Sequence, residues 1–233
     1  MSLLYVFAAS RREGRAVERV IGGVSGVAGA NQVRLFHTGI GPRRASRAAE
    51  QALAAVAPDA VIVTGVCGSV SASVHEGQLV VYQRCLAEDP RLPLQDCSDE
   101  LAGRVSHLLT HLDCLRVVGI TVARVAAREE KLRLAARGAE VVDMETAEIL
   151  AVAGRAAIPC VVLRCVSDGL DRSLPDFRNI LDAEGELDRT AVARALAGSP
   201  VDAAAMAAVF KRAVDRLGQA MEVVLKMAVM KAL

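Results

Sequence analysis

The 233-residue chain has no tryptophan, two tyrosines and four phenylalanines, and aromatics make up only 3% of it. That scarcity excludes a single-strand nucleic-acid binder, which needs aromatic platforms for bases to stack on. Neither sign of charge dominates either. Twenty-eight Lys and Arg stand against 27 Asp and Glu, for a formal net charge of +1. No basic field exists to draw a phosphate backbone, so no nucleic-acid partner is expected. Long apolar runs are missing too. The longest uncharged stretch of the first half, residues 60–74, is broken by Gly, Ser and Thr. It falls short of the roughly 20 apolar residues that span a bilayer, so no integral membrane segment is expected. The apolar run at residues 3–9 is short and lacks a basic flank; it reads as a buried strand, not a signal peptide. No Cys-x-x-Cys pair occurs among the six cysteines. Cys160 and Cys165 are an odd number of positions apart on an apolar strand, so they face opposite sides and cannot bridge. Reduced, buried thiols and a cytoplasmic location are the expectation.

What is present is apolar residue: 53% of the chain, mostly Ala, Val and Leu. That rules out disorder and suffices for a core. With no linker-like segment, residues 1–233 read as one domain. Apolar runs at 3–9, 33–37, 60–64, 77–82, 117–122, 139–142 and 160–166 alternate with helical patterns at 11–20, 44–56, 128–137 and 144–157. The fully apolar runs imply strands covered on both faces, hence a layered α/β fold. Two helical segments close the chain, 189–196 and 203–230. The second carries Val209, Phe210, Ala213, Val214, Leu217, Met221, Val224 and Leu225 at helical spacing, a stripe expected to pack on the sheet. Residues 169–188 read as a long loop, of the kind that tends to carry function.

In open α/β sheets ligands bind beyond the carboxyl ends of the strands. There the sequence places Ser10–Arg11–Arg12–Glu13, then Gly39–Ile40–Gly41, then Gly65–Val66–Cys67–Gly68, then Asp143–Met144–Glu145, then Ser167–Asp168. Any one glycine turn is ordinary; convergence across five strands is not. Singly, each acid has a plainer reading. Asp143 and Glu145 suit a helix N-terminus, and the plainer reading is preferred for Asp143. Ser167–Asp168 suits a turn. Gly39–Ile40–Gly41 lacks the third glycine of a dinucleotide fingerprint. His107 and His111 share a helix face but have no zincin Glu and no third ligand, so no metal site is expected.

Val141–Val142–Asp143–Met144–Glu145–Thr146–Ala147, followed by Val162–Leu163–Arg164–Cys165–Val166–Ser167–Asp168, resembles the nucleoside phosphorylase and nucleosidase superfamily, which includes the methylthioadenosine/S-adenosylhomocysteine nucleosidases. Thr38–Gly39–Ile40–Gly41, the stretch from Pro58–Asp59 to Gly68, and Glu76–Gly77–Gln78–Leu79–Val80–Val81 match along the chain, and Arg12–Glu13 falls where the nucleosidases carry a catalytic Glu. The resemblance implies a three-layer α/β/α sandwich around a mixed, partly barrel-like sheet, and a homo-oligomer, a dimer or larger. It implies a small-molecule nucleoside substrate, cleavage of a purine N-glycosidic bond, and no cofactor, with phosphate as co-substrate only if the reaction is phosphorolysis. By the same resemblance Asp168 protonates the base with Ser167 holding it, Glu145 accepts from the ribose hydroxyls, Met144 lies under the sugar, and Glu13 handles the attacking water. Gly39, Ile40, Gly41, Gly65, Val66, Cys67 and Gly68 would border the substrate. A narrower resemblance, in Arg12–Glu13–Gly14–Arg15, Asp171–Arg172–Ser173–Leu174–Pro175 and Asp182–Ala183–Glu184–Gly185, is to hopanoid-associated phosphorylases, which implies adenosylhopane as substrate.

Two departures bear on the reaction. Val66 stands where many relatives have a Ser that contacts phosphate or water, which weakens a phosphate site. Arg11, Arg12 and Arg15 could restore one, or be a solvated helix face. Residues 122–128 also lack the Phe that nucleosidases stack on adenine. Hydrolysis is favoured, with phosphorolysis and turnover-free nucleoside binding as the alternatives; three acids kept together argue against the last, since binding alone needs no proton donor.

Overall fold

The computed structural model describes residues 1–172 and 188–226. The elements run β1 (Ser2–Ala8), α1 (Arg11–Ile21), β2 (Ser25–Ala28), β3 (Asn31–His37), α2 (Pro42–Ala55), β4 (Ala60–Ser69), β5 (Leu79–Ala87), β6 (Gln95–Asp96), α3 (Asp99–Leu108), β7 (Cys114–Thr121), α4 (Arg128–Ala135), β8 (Val141–Asp143), α5 (Thr146–Arg155), β9 (Cys160–Asp168), α6 (Arg189–Gly198) and α7 (Pro200–Leu225). Five strands close a ring: β4 pairs with β8, β8 with β7, β7 with β5, β5 with β9, and β9 with β4 again. Parallel β1 and β3 continue the sheet outward from β4, and antiparallel β2 ends it. The sheet is therefore mixed and barrel-like at one end and open at the other.

Period-two alternation splits the apolar strands between two cores. Ile62, Val161, Leu163 and Cys165 face the cluster filled by α1, α3 and α7. Val61, Val63, Cys160, Val162 and Val166 face the cluster filled by α2 and α5. Both faces are thus covered, which is why these strands read as unbroken apolar runs. Cys160 and Cys165 do lie on opposite faces, and all six cysteines are free. The apolar stripe of α7 packs as expected, with Ala213, Leu217, Met221, Val224 and Leu225 in the first cluster. No single helix among the described residues is long and apolar enough to cross a membrane.

Several expected boundaries move. Gly65–Val66–Cys67–Gly68 is not a turn after a strand; β4 runs through it to Ser69, with a register shift against β9 between Cys67 and Gly68. Glycines inside a strand mark a bend or a close approach, and both apply where the ring closes. Ser167 and Asp168 likewise belong to β9, and α5 starts at Thr146, after Met144 and Glu145. β2 and β6 were not read from the sequence, and α3 only where a helix was read through His107 and His111. The first two are short and half-exposed, giving weak periodicity. His107 lies in the last turn of α3 while His111 sits in a separate 3₁₀ turn, so they share no helix face; no metal-ligand cluster exists among the described residues. Of the loop expected at 169–188, residues 173–187 lie outside the described ones, as do Asp182–Ala183–Glu184–Gly185.

Candidate active site

Four acids line one pocket of about 440 Å³: Glu13, Asp143, Glu145 and Asp168. Glu13 arrives on the first turn of α1. Ser10 caps that helix, accepting from the Glu13 amide at 3.4 Å, and its hydroxyl donates to Glu13 Oε2 at 2.6 Å. Ser10 thus caps the helix through its hydroxyl oxygen and holds the Glu13 carboxylate through its hydroxyl proton, with the carboxylate turned to the pocket. Its other oxygen accepts from the Val66 amide at 3.0 Å. The side-chain hydroxyl absent at position 66 is therefore beside the point for Glu13: the strand backbone holds it. Gly65 makes room, since a Cβ there would stand 2.6 Å from Glu13 Oε1.

Glu145 is 5% exposed and precedes α5. Its Oε1 accepts from the Gly41 amide at 2.9 Å, and its Oε2 lies 3.6 Å from Arg164. Burial pushes its pKa up to about 7; Arg164 works against that shift, and Asp143 adds to it. Asp143 is wholly buried and does cap the helix start, accepting from the amides of Glu145 and Thr146. It also accepts from Tyr82 and Thr121 and pairs with Arg164 at 3.3 Å. Burial tends to raise its pKa, but Arg164 and these hydrogen bonds outweigh it and hold the group below the usual carboxylate range. The plainer reading of Asp143 was right about the cap and missed the ion pair.

Arg164 is the residue the sequence reading passed over. It sits mid-strand in β9, 1% exposed, in what reads as an apolar run. It donates to Thr146 Oγ1 and to the Val66 carbonyl, and its charge lies between Asp143 and Glu145. Burial disfavours this cation; Asp143, Tyr82 and Glu145 more than offset that and raise its pKa. A buried charge at a strand position that should be apolar was the available signal.

Asp168 ends β9. Ser167 donates to its Oδ1 at 2.8 Å, as the resemblance implied. Lys131 on α4 donates to its Oδ2 at 2.5 Å. The following residue is pinned from both sides: the Gly169 amide donates to Glu76, which Arg172 also grips, and the Gly169 carbonyl accepts from Lys131. Gly68 lets Asp168 approach, since a Cβ there would stand 2.8 Å from Asp168 Oδ2.

Met144, Ile40, Val66, Cys67, Gly68 and Ser167 line the same pocket. Gly39, Gly41 and Gly65 do not; Gly41 acts through its amide on Glu145 and Gly65 through the space it leaves Glu13. Gly39 has φ +80°, the left-handed region glycine favours. Burial raises the Cys67 thiol well above its usual range, so it contributes no thiolate. Of the three arginines near α1, Arg12 reaches the pocket, while Arg11 and Arg15 are exposed and do not line it. Val122, Val125 and Ala126 line it where a stacking Phe was lacking, and Phe210 comes in from α7.

Solved structures with the same fold include the 5′-methylthioadenosine/S-adenosylhomocysteine nucleosidase of Neisseria meningitidis in complex with methylthio-immucillin-A, at TM-score 0.75 and 16% identity over 97% of this chain and 99% of that one. The S-adenosylhomocysteine nucleosidase of Streptococcus pyogenes matches at TM-score 0.74 and 17% identity, over 97% and 96%. A futalosine hydrolase mutant of Helicobacter pylori matches at TM-score 0.68 and 18% identity, over 90% and 98%. Among curated proteins nothing matches. The model of the phosphorylase superfamily matches residues 7–214, and the chain belongs to that superfamily.

Proposed function

We propose that the protein hydrolyses the N-glycosidic bond of a purine nucleoside of the adenine type. The observation that carries the reading is the meeting of Glu13, Glu145 and Asp168 in one pocket, each held by a different set of donors. Likeness to nucleosidases of methylthioadenosine and S-adenosylhomocysteine supports it.

Breaking the bond leaves positive charge on the sugar and negative charge on the base, the oxocarbenium logic of glycoside hydrolysis. Asp168 delivers a proton to the base nitrogen, making it a better leaving group. Glu145 in its ionised form accepts from the ribose 2′- and 3′-hydroxyls, bonds strengthened by its charge. Met144 offers a polarisable surface to the sugar. Glu13 takes the proton of the attacking water, with Arg164 holding the Val66 carbonyl beside it. Base, sugar and water each have a dedicated group, and no cofactor is required.

Phosphorolysis is the second reading, and Arg12 at the pocket is what favours it. Against it, a phosphate placed at Glu13 would set two anions together. Base release in phosphate-free buffer decides. A hydrolase runs at full rate and gives free ribose product; strict dependence on phosphate with a ribose 1-phosphate product overturns the hydrolytic reading. For the 5′ substituent, Ala9, Ile40, Val66 and Phe210 make the pocket wall largely apolar, which supports an apolar group, with adenosylhopane the extreme case. Ranking kcat/KM over adenosine, methylthioadenosine and longer 5′-alkylthio adenosines tests this: it should rise with apolar length, and a preference for unsubstituted adenosine defeats it.

A further inference from the structure

We propose that Lys131 supplies the proton that Asp168 delivers to the leaving base. The inference rests on the nucleosidase reading above and deepens the chemistry of that site. The amine of Lys131 is all but sealed, its side chain 2% exposed, yet it borders the pocket. Lysine is almost never buried to this degree unless paired. Its neighbours on α4 make the placement specific: Glu129 is exposed and Glu130 half-buried, and only Lys131 and Leu134 of that helix are buried. The helix thus buries one apolar side chain and one charge. Arg128 pairs with Asp171 and Lys131 with Asp168 and the Gly169 carbonyl, so α4 is stitched to the end of β9 at three points.

Ser167 donates to Oδ1 and Lys131 donates to Oδ2, so both oxygens are engaged as acceptors. A base departing from this site draws its proton from Asp168, and Lys131 is the donor in direct contact that can replace it. The steps balance. A proton passes from Lys131 Nζ to Asp168 as Asp168 passes one to the purine N7. The bond from C1′ to the base breaks with its electron pair going to the base, which leaves neutral. Water adds to C1′ and its proton goes to Glu13. Lys131 ends as the neutral amine and Glu13 as the acid, and exchange through solvent resets both. Lys131 acts through Asp168 and need not touch the base.

A double-mutant cycle with Asp168→Asn tests this, with adenine release from methylthioadenosine as the readout. Lys131→Met should lower kcat by on the order of 10²-fold, the scale of general acid catalysis, with KM little changed. In the Asp168→Asn background the same substitution should cost nothing further. Lys131→Arg should also be slow, because a guanidinium keeps the charge and does not give up its proton. Wild-type kcat in Lys131→Met overturns the proposal, as does a full second loss on top of Asp168→Asn. Wild-type kcat in Lys131→Arg overturns it too, since charge alone would then suffice. If Met at 131 lowers the melting temperature below the assay range, the Arg variant in both backgrounds carries the same test. A wild-type protein that releases no base at all rejects the proposed function instead, which keeps the two failures apart.

Discussion

Glu145 carries two opposed demands. Its site is dry enough to push its pKa up to about 7, yet sugar binding needs the ionised form. The kinetic consequence is that kcat/KM, which reports the free enzyme, should fall as pH drops through about 7, and Glu145→Gln should abolish that limb while lowering the plateau. A limb that persists in the variant would belong to another group. For stability the sign runs the other way. Because folding raises this pKa from 4.5, the folded state holds the proton more tightly. The contribution is fully present below pH about 4.5 and is lost as pH rises through about 7. Melting temperatures should therefore fall with pH more steeply for the wild type than for Glu145→Gln across that window. The variant should also narrow the preference for ribo- over 2′-deoxyribonucleosides, since an unpaired buried acceptor costs about 1–3 kcal/mol, roughly tenfold or more.

Elements position these groups more than they conceal them, and β4 does it by leaving side chains out. Gly65 has φ +151° and its missing Cβ is the space that Glu13 and Arg164 occupy. Gly65→Ala should push the Glu13 carboxylate off the Val66 amide and strain the backbone, at about 1–3 kcal/mol. A displacement of roughly 1 Å in a reacting group can cost about 10²-fold, so kcat should drop by that order while the chain still folds, checked by turnover alongside thermal melting. The same element shows what the sequence hides. Its glycines read as a turn, because local pattern cannot tell a bend in a long barrel strand from the end of a short one. The acids were legible through a motif with fixed spacing. Arg164 and Lys131 were not. Each is a charge made tolerable by partners far away in the chain, Asp143 and Glu145 for the one and Asp168 for the other, and no window of sequence contains both halves of such a pair. The two fully covered faces were legible, since unbroken apolar strands have no other stable setting.

At the scale of the whole molecule, α7 joins the core to the pocket. Leu217 is buried in the cluster shared with α1 and the strands, and Phe210, two turns earlier, lines the pocket. The two should separate cleanly. Leu217→Ala should cost about 2–5 kcal/mol of stability and leave kcat/KM unchanged below the melting transition. Phe210→Ala should hardly move the melting temperature and should weaken selection for apolar 5′ groups. Ligand binding then offers a test that needs no turnover. A ligand at 100 times its Kd adds about 2.7 kcal/mol to the folded state, and for a chain of this size each kcal/mol moves Tm by about 2–4 °C. A nucleoside analogue with an uncleavable bond and an apolar 5′-thioether should therefore raise Tm by about 5–10 °C. The same analogue with a bare 5′-hydroxyl, at equal concentration, should raise it less, and the difference should vanish in Phe210→Ala. Equal shifts for the two ligands in the wild type would place the 5′ group in solvent and remove α7 from recognition of the substrate.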